Sequence, residues 1–185
     1  MIYPIRAFGD SVLRADCEDI TSFDDDFKKL VSDMYETMDG SDGVGLAAPQ
    51  IGKKVRLFLI DSTAFDEEGE KNGVRKAFVN PVIIEESGEE WAFEEGCLSI
   101  PDVREDVLRQ PKLTIKYQDE EGKHFEETYE GMSARVIQHE YDHIEGILFV
   151  DHISAFKRQL LKSKLNNISR GKVNVRYRMK FPKRK

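Results

Sequence analysis

A histidine pair within one short segment is the clearest chemical signal in the chain. His139 and His143 are four positions apart in the segment HEYDH, so on a helix their imidazoles share one face and can bind one divalent metal ion. Glu140 follows the first histidine and is placed to exchange a proton with water at that metal. A polar helix surface can produce the same pattern by chance. The apolar residues around the segment favour metal binding, because partly buried histidines need partners.

Catalytic metal sites usually have three protein ligands, so a third ligand has to be found. A histidine six residues after His143 is excluded, because that position is Phe149. A distant downstream carboxylate is excluded as well, since no Asp or Glu follows Asp151. Asp151 and His152 remain competitors, but we expect them to form a turn and cap beyond the helix. Upstream, Cys97 in the segment EGCLS offers a thiolate, which suits Zn or Fe(II). A small buried side chain is the alternative interpretation of this cysteine.

The histidines must be positioned by a helix with recognisable ends. Ser133 is predicted as its N-cap and Gly146 as its end. The expected apolar face comprises Val136, Ile137, Ile144 and Ile147. An earlier amphipathic helix is predicted from Phe23 to Met38, with Ser22 or Asp24 as N-cap and Gly40 as its stop.

Strands are predicted in front of the metal-binding helix. The segments are VRLFLID, AFVNPVIIEE, KLTIKYQ and HFEETYE, with the last two joined as a hairpin. Pro81 places its strand at an edge or a bulge. Because strands and helices do not alternate as βαβ units, we predict an α+β fold of mainly antiparallel sheets packed around the central metal-binding helix.

The charges are divided unevenly along the 185 residues. The net charge is −7, but residues 152–185 contain twelve Lys and Arg and no acid, so residues 1–151 carry −19. A second helix is predicted near 155–167, with Phe156, Leu160, Leu161 and Leu165 as its apolar residues. The following segment VNVRYRMKF alternates apolar and polar residues, as a strand does, and could join a sheet edge. We expect one domain over 1–185, with a basic C-terminal extension at about 168–185 that meets an anionic partner.

Composition also excludes some classes of protein. No apolar run approaches the roughly 20 residues needed to span a bilayer, and the N-terminus lacks the apolar core of a signal peptide. We therefore expect a cytoplasmic protein that binds neither membranes nor DNA. In a reducing compartment a disulfide between Cys17 and Cys97 is the weaker interpretation, and Cys17 is expected to be a small buried side chain.

Three separated segments together resemble the peptide deformylase family. They are GVGLAAPQ at 43–50, EGCLS at 95–99 and QHEYDH at 138–143, in the family's order and approximate spacing. The resemblance extends from about Gly9 to about Leu165. The glycines of the first segment also mimic a dinucleotide fingerprint. That interpretation fails, because they follow a helix rather than a strand and Pro49 would interrupt the next helix.

The resemblance implies hydrolysis of the N-formyl group from the N-terminal formyl-methionine of newly made polypeptides, with release of formate. By the same resemblance, Cys97, His139 and His143 would hold the metal and leave one position for water. Glu140 would take the proton of that water and return it to the leaving amine. The backbone N–H of Leu98 and the amide of Gln50 would stabilise the oxyanion.

Further positions follow from the motifs of the resemblance. Val44, Ile137 and His139 would line the slot for methionine, although Ile137 could equally be core. Gly45 would let its backbone approach the substrate closely, or be a plain turn glycine. Arg104 would lie near the bound peptide, or be a solvated arginine. Arg135 and Asp142 could pair with each other near the metal or on the helix surface.

The native metal implied by the resemblance is Fe(II), with Zn, Ni or Co as substitutes. Formyl-methionyl nascent peptides are the implied partners, and transient ribosome contact through the basic extension is a further expectation. An HExxH-type metallopeptidase that cuts internal amide bonds is the alternative enzyme, which the missing downstream ligand disfavours. A non-catalytic ribosome-associated module is a third hypothesis, disfavoured because structural metal sites are closed by four protein ligands.

Overall fold

The computed structural model describes residues 1–66 and 72–182. Its central sheet has five antiparallel strands in the order β2-β3-β4-β7-β8. The bounds of these strands are β2 Gly45–Ala47, β3 Leu57–Asp61, β4 Arg75–Ser87, β7 Lys112–Gln118 and β8 His124–Glu130. The four predicted strand segments are thereby confirmed, and the last two form the predicted hairpin.

Pro81 lies at a bulge rather than at a sheet edge. The strand β4 pairs with β3 on one side and with β7 on the other, so it is an interior strand. The pairing between β4 and β7 shifts register between Val79 and Val82, on either side of the proline. A proline has no N–H to donate to the ladder, and the shift accommodates that loss.

Helices cover both faces of the sheet at β3. Leu57 and Leu59 pack in one cluster with α1, Asp25–Asp39, whereas Phe58 and Ile60 pack in another with α2, Gly131–Ile144. Successive side chains of a strand point to opposite faces, which explains the division. The helix α1 confirms the predicted first helix, and Asp24 caps it by accepting a hydrogen bond from the N–H of Phe27 at 2.9 Å.

The helix α2, which carries the predicted metal ligands, begins two residues before the predicted cap. Gly131 has φ +59, a left-handed conformation that turns the chain directly from β8 into the helix. Ser133 therefore lies inside the helix, where it is buried and its hydroxyl is 2.8 Å from that of Ser62. The prediction that Ser133 caps the helix was wrong, because the preceding strand runs up to the first turn. Gly146 follows the helix with φ +71, as expected.

A long hairpin lies beside α2 and was not predicted as strands. It consists of β5, Trp91–Cys97, and β6, Ile100–Arg109. Cys97 is the last residue of β5 and pairs with Ile100 across a tight turn. The register shifts between Gly96 and Cys97, which separates the end of the hairpin from its regular ladder.

The C-terminal part packs on a third cluster of buried residues, which includes Ile100, Val103 and Leu148. The helix α3, Ala155–Ser169, confirms the second predicted helix. Its predicted apolar face is only partly correct, because Phe156 is 73% exposed and Leu160 is 67% exposed. Leu165 and Ile168 are the buried residues of this helix.

Residues 170–182, here called the tail, follow α3 back across the protein. The predicted alternation appears as half-buried Val173, Val175, Tyr177 and Met179 between exposed neighbours. Only Met179–Lys180, strand β9, forms a ladder, parallel to strand β1, Ile5–Arg6. The tail is therefore attached to a sheet edge over a shorter length than the pattern suggested.

The structure also describes the two cysteines and the lengths of the helices. Both cysteines are free thiols, and Cys17 packs half-buried at the edge of the cluster beneath α2. Within residues 1–66 and 72–182, no helix combines the length and the apolar character needed to cross a bilayer.

Candidate active site

Three side chains with metal-binding atoms meet between α2 and the end of β5. The ligand atoms of Cys97, His139 and His143 all lie within 4.8 Å of one another. The Cys97 Sγ is 3.3 Å from His143 Nε2, and the two imidazole centroids are 5.2 Å apart. One turn of α2 separates the histidines, and the end of β5 delivers the sulfur. Among the described residues, Asp151 and His152 do not join this group.

A buried carboxylate orients the first histidine. Glu95 Oε2 accepts a hydrogen bond from His139 Nδ1 at 2.9 Å, which leaves Nε2 of the ring available as a metal ligand. Two arginines neutralise the same carboxylate. Arg109 donates to both of its oxygens at 2.7 and 3.0 Å, and Arg135 donates at 2.8 Å. Sequence reasoning gave Glu95 no role, although its position two residues before Cys97 on a strand places both side chains on one face.

Arg135 and Asp142 do not pair with each other, so that prediction was wrong. They lie seven positions apart on α2, and each pairs with a group from outside the helix. Arg135 donates to Glu95, and its guanidinium lies 4.2 Å from the centroid of the Trp91 ring. Asp142 accepts from Arg109 at 2.9 Å and lies 2.8 Å from His152 Nε2.

The site shifts the acidity of its own groups. Burial opposes ionisation of Cys97, but the charges and hydrogen bonds of His143 and His139 outweigh it and lower the pKa of the thiol to about 5. Burial raises the pKa of Glu140 to about 7. Burial alone would raise the pKa of Glu95. The hydrogen bonds from His139 and Arg109 outweigh burial and hold that pKa below its ordinary value. A thiolate that can bind a metal, and a carboxyl group with a pKa near neutral pH, are both suited to metal-assisted hydrolysis.

Glu140 lies against the edge strand of the central sheet. A Cβ added to Gly45 in β2 would lie 2.3 Å from Glu140 Oε1, so only glycine fits there. The other oxygen, Oε2, is buried and has no hydrogen-bond partner among the described residues. The carboxylate therefore keeps one oxygen that makes no hydrogen bond within residues 1–66 and 72–182. A side chain at position 45 would occupy the space of the Glu140 carboxylate, and this reason for a glycine was not predicted from the sequence.

Gln50 is held in place by the local fold of its own segment. Residues Ala48–Ile51 form one turn of 3₁₀ helix, and the Oε1 of Gln50 accepts a hydrogen bond from the N–H of Ala47 at 2.8 Å. That bond points its Nε2 toward the hairpin end, 3.5 Å from Cys97 Sγ and 3.4 Å from the Ser99 hydroxyl. The side chain is almost completely buried, which fits its predicted role as a donor.

A cleft of about 670 Å³ contains these groups. The cleft is lined by the loop before β2 and the start of β2, the β5–β6 hairpin, one face of α2, and the tail, with Gln50 and Phe65 from two short 3₁₀ turns. Val44, Gly45, Gln50, Leu98, Arg104, His139 and Glu140 all lie on its surface, as their predicted roles require. Arg104 lies at an exposed position, with its side chain 68% accessible and 3.6 Å from Glu94.

Ile137 does not line the cleft, contrary to prediction. It is fully buried on the opposite side of α2, in the cluster with Phe58. The residues of α2 that do face the cleft include Met132, Val136 and His139. These positions follow the three- and four-residue spacing of a helix face, whereas a step of two residues turns the side chain to the far side. Counting back from His139 with helical spacing would have found Met132 and Val136.

The donor set fits a divalent metal ion. A thiolate and two imidazoles are ligands that Zn and Fe(II) accept, and the three atoms are close enough to share one ion. Glu140 Oε2 is buried without a partner among the described residues, as expected of a site completed by groups other than protein. Such a centre, with a buried carboxyl beside it and an open cleft, defines a metal-dependent hydrolase on an α+β fold.

The comparisons with known proteins identify the family. The polypeptide deformylase family model matches residues 2–159. The peptide deformylase of Christiangramia forsetii is 57% identical, with 100% of this chain and 98% of that protein covered. That of Cytophaga hutchinsonii is 56% identical over the whole of both chains. The crystal structure of a peptide deformylase from Legionella pneumophila superposes with a TM-score of 0.81, at 41% identity, over 93% of this chain and 98% of that one.

The chain belongs to the polypeptide deformylase family. It is a hydrolase of protein biosynthesis that removes the N-formyl group from the formyl-methionine of new polypeptides. The α+β fold and the family expected from the sequence are confirmed.

Proposed function

We propose that Cys97, His139 and His143 together hold one divalent metal ion, which is Fe(II) in the native enzyme. The support is the approach of their three ligand atoms to within 4.8 Å, between an ordered helix and the end of a strand. Zn, Ni or Co can replace iron, because thiolate and imidazole ligands accept each of them. Bound there, the metal supplies a Lewis acid that lowers the pKa of water toward neutrality.

Glu140 acts as the proton carrier of this reaction. It accepts a proton from the attacking water and returns it to the methionine nitrogen as the bond to the formyl carbon breaks. Burial raises its pKa to about 7, so near neutral pH the carboxyl can both accept and donate. Its free oxygen, Oε2, is the atom available for that transfer.

Two donors of the chain stabilise the negative charge on the formyl oxygen. One is the backbone N–H of Leu98, and the other is Nε2 of Gln50, whose orientation is fixed by the bond from Ala47. Donors that are already oriented need no rearrangement during the reaction, which is why this arrangement lowers the barrier.

The substrate methionine occupies the apolar part of the cleft. Val44, Met132 and Val136 line that part, together with the ring of His139. Arg104 contacts the peptide farther out, near the exposed rim. Gly45 lies in an edge strand, where a peptide backbone can approach without meeting a side chain.

The single observation that carries the proposal is the position of Glu140 beside the three ligands, and its substitution is the test. Glu140→Gln should abolish formate release from formyl-Met peptides while the protein still binds one equivalent of metal. Full activity of this variant would refute the role of Glu140. Cleavage of blocked peptides that lack a formyl group would instead favour the HExxH metallopeptidase alternative.

We also propose that residues 1–185 form one domain that works in the cytoplasm and touches the ribosome through its basic extension at about 168–185. The exposed side of the tail carries Lys172, Arg178 and Lys180, which supports attraction to RNA phosphates. The triple change of these residues to glutamine leaves the buried side of the tail intact. Ribosome co-sedimentation that falls with salt, and falls further in the triple variant, is expected; equal co-sedimentation of both proteins would refute the contact.

A further inference from the structure

The tail forms one wall of the cleft at which the proposed metal ligands Cys97, His139 and His143 meet. Residues Asn174, Val175, Arg176 and Tyr177 lie on the same surface as Cys97 and Glu140. These residues follow α3 and lie beyond residue 159, where the family match ends. They therefore add a wall that the shared motifs do not provide.

The wall is attached to the catalytic part of the chain. The Tyr177 hydroxyl donates a hydrogen bond to the carbonyl of Leu98 at 2.8 Å, next to Cys97. Farther along, the N–H of Ile5 donates to the carbonyl of Arg178 at 2.8 Å, and the N–H of Ala7 donates to that of Lys180 at 3.0 Å. Fixed on both sides of Arg178, the tail keeps a defined position at the cleft.

Arg176 gives this wall a charge that is free to bind. Its side chain is exposed, and it forms no ion pair or hydrogen bond with any residue in 1–66 or 72–182. Arg104 on the hairpin also lines the cleft but is engaged with Glu94. Asp42 and Asp102 line the cleft too, and neither pairs with Arg176.

We place the rest of an extended substrate peptide along this wall, because the tail lines the same cleft as Cys97 and Glu140. Each residue of such a peptide advances about 3.3 to 3.6 Å, so its second and third residues leave the methionine slot and reach the rim. At the rim they meet the exposed side of the tail, where the guanidinium of Arg176 is available.

We propose that the tail is a peptide-binding wall, and that Arg176 selects formyl-methionyl peptides with an acidic side chain at the second or third residue. This inference rests on the proposed placement of the peptide in the cleft. An exposed ion pair contributes modestly, so the expected preference for Glu over Lys is about two- to fivefold in kcat/KM.

The test compares Arg176→Glu with Arg178→Glu. Both changes alter the net charge equally, and both positions are exposed on the tail, but Arg178 does not line the cleft. The substrates are formyl-Met-Glu-Ala-Ser, formyl-Met-Lys-Ala-Ser, formyl-Met-Ala-Glu-Ser and formyl-Met-Ala-Lys-Ser, assayed by formate release. Arg176→Glu should reverse the preference in at least one pair, whereas Arg178→Glu should keep that of the parent protein.

Equal behaviour of the two variants, or no preference in the parent protein for either pair, would overturn the inference while leaving the proposed function intact. Failure of the metal-loaded protein to release formate from all four peptides would refute the proposed function instead. Binding of fluorescent Met-Glu-Ala-Ser and Met-Lys-Ala-Ser, and of the two third-position peptides, gives a readout that does not depend on turnover. In that assay the same reversal supports the wall, and its absence refutes it.

Discussion

Replacing Glu95 with glutamine should weaken both the fold and the metal site. The Glu95 carboxylate is 5% exposed and receives hydrogen bonds from Arg109, Arg135 and His139. The substitution keeps the volume of the side chain but removes its charge. Two buried guanidinium groups then lose the anion that neutralises them, and within the described ranges 1–66 and 72–182 only Asp142 remains to pair with Arg109.

The magnitude follows from the burial of the group. Removing one partner of a buried ion pair costs about 3–5 kcal/mol, because the other charge stays buried and uncompensated. In a protein of this size, 1 kcal/mol corresponds to about 2–4 °C, so the melting temperature should fall by about 6–20 °C. Loss of the carboxylate that orients a histidine ligand should also weaken metal binding by about 10- to 100-fold.

Thermal unfolding of the metal-free protein, followed by circular dichroism, measures the first effect, and metal titration against a chelator measures the second. Glu94→Gln is the matched control. The Glu94 side chain is adjacent in sequence but 60% exposed, and it forms an ion pair with the exposed Arg104 at 3.6 Å. That control should change the melting temperature little. If Glu95→Gln resembles the control in both measurements, the carboxylate neither holds the arginines nor orients His139, and the reasoning is refuted.

The contribution of Glu95 to the unfolding free energy should depend on pH. Its pKa lies below the ordinary value, so the stability it contributes is fully present above the unfolded pKa of about 4.5 and is lost as the pH falls below it. The difference in unfolding free energy between the parent protein and Glu95→Gln should therefore shrink in acid. A difference that grows on acidification would contradict the assigned sign.

Three further predictions concern the surroundings of the site. Gly45→Ala should push the Glu140 carboxylate out of place, since the new Cβ would lie 2.3 Å from Oε1; we expect kcat for formate release to fall about 100-fold or more, with metal content unchanged. Tyr177→Phe removes the bond to the Leu98 carbonyl, so the unfolding free energy measured in urea should fall by about 0.5–1.5 kcal/mol. Burial disfavours the charged form of Glu127, but hydrogen bonds from one lysine and two tyrosines prevail and lower its pKa to about 2. The destabilisation caused by Glu127→Gln should therefore be complete above pH 4.5 or so and fade as the pH falls toward 2.

Local patterns predicted the elements of the site well because their signals are short in range. The spacing of His139 and His143, and the elimination of downstream ligands, led to Cys97, whose sulfur lies beside both rings. Helical and strand periodicity gave α1, α2, α3 and most strands of the central sheet. Each of these inferences needs only the geometry of one element and the chemistry of its side chains.

What the sequence did not reveal depends on how separate elements pack. Glu95 lies on β5, whereas the side chains that contact it lie on β6 and α2. Their contacts depend on the register of the β5–β6 hairpin, which no periodic pattern in the sequence predicted. Ile137 was misplaced because the motif was extended by proximity in sequence rather than by helical angle. The start of α2 was misplaced because Gly131 turns a strand directly into a helix.

Two elements position the three proposed metal ligands, and this explains why the stability and the chemistry of the site are linked. On β5, Glu95 and Cys97 share a face, so one strand supplies both a ligand and the group that orients another ligand. On α2, one turn supplies His139, Glu140 and His143. Displacing either element moves the ligands and breaks the buried ion pairs at once. The bond from Tyr177 to the Leu98 carbonyl connects a third element, the tail, to the end of that strand. Loss of this bond should therefore alter activity as well as stability.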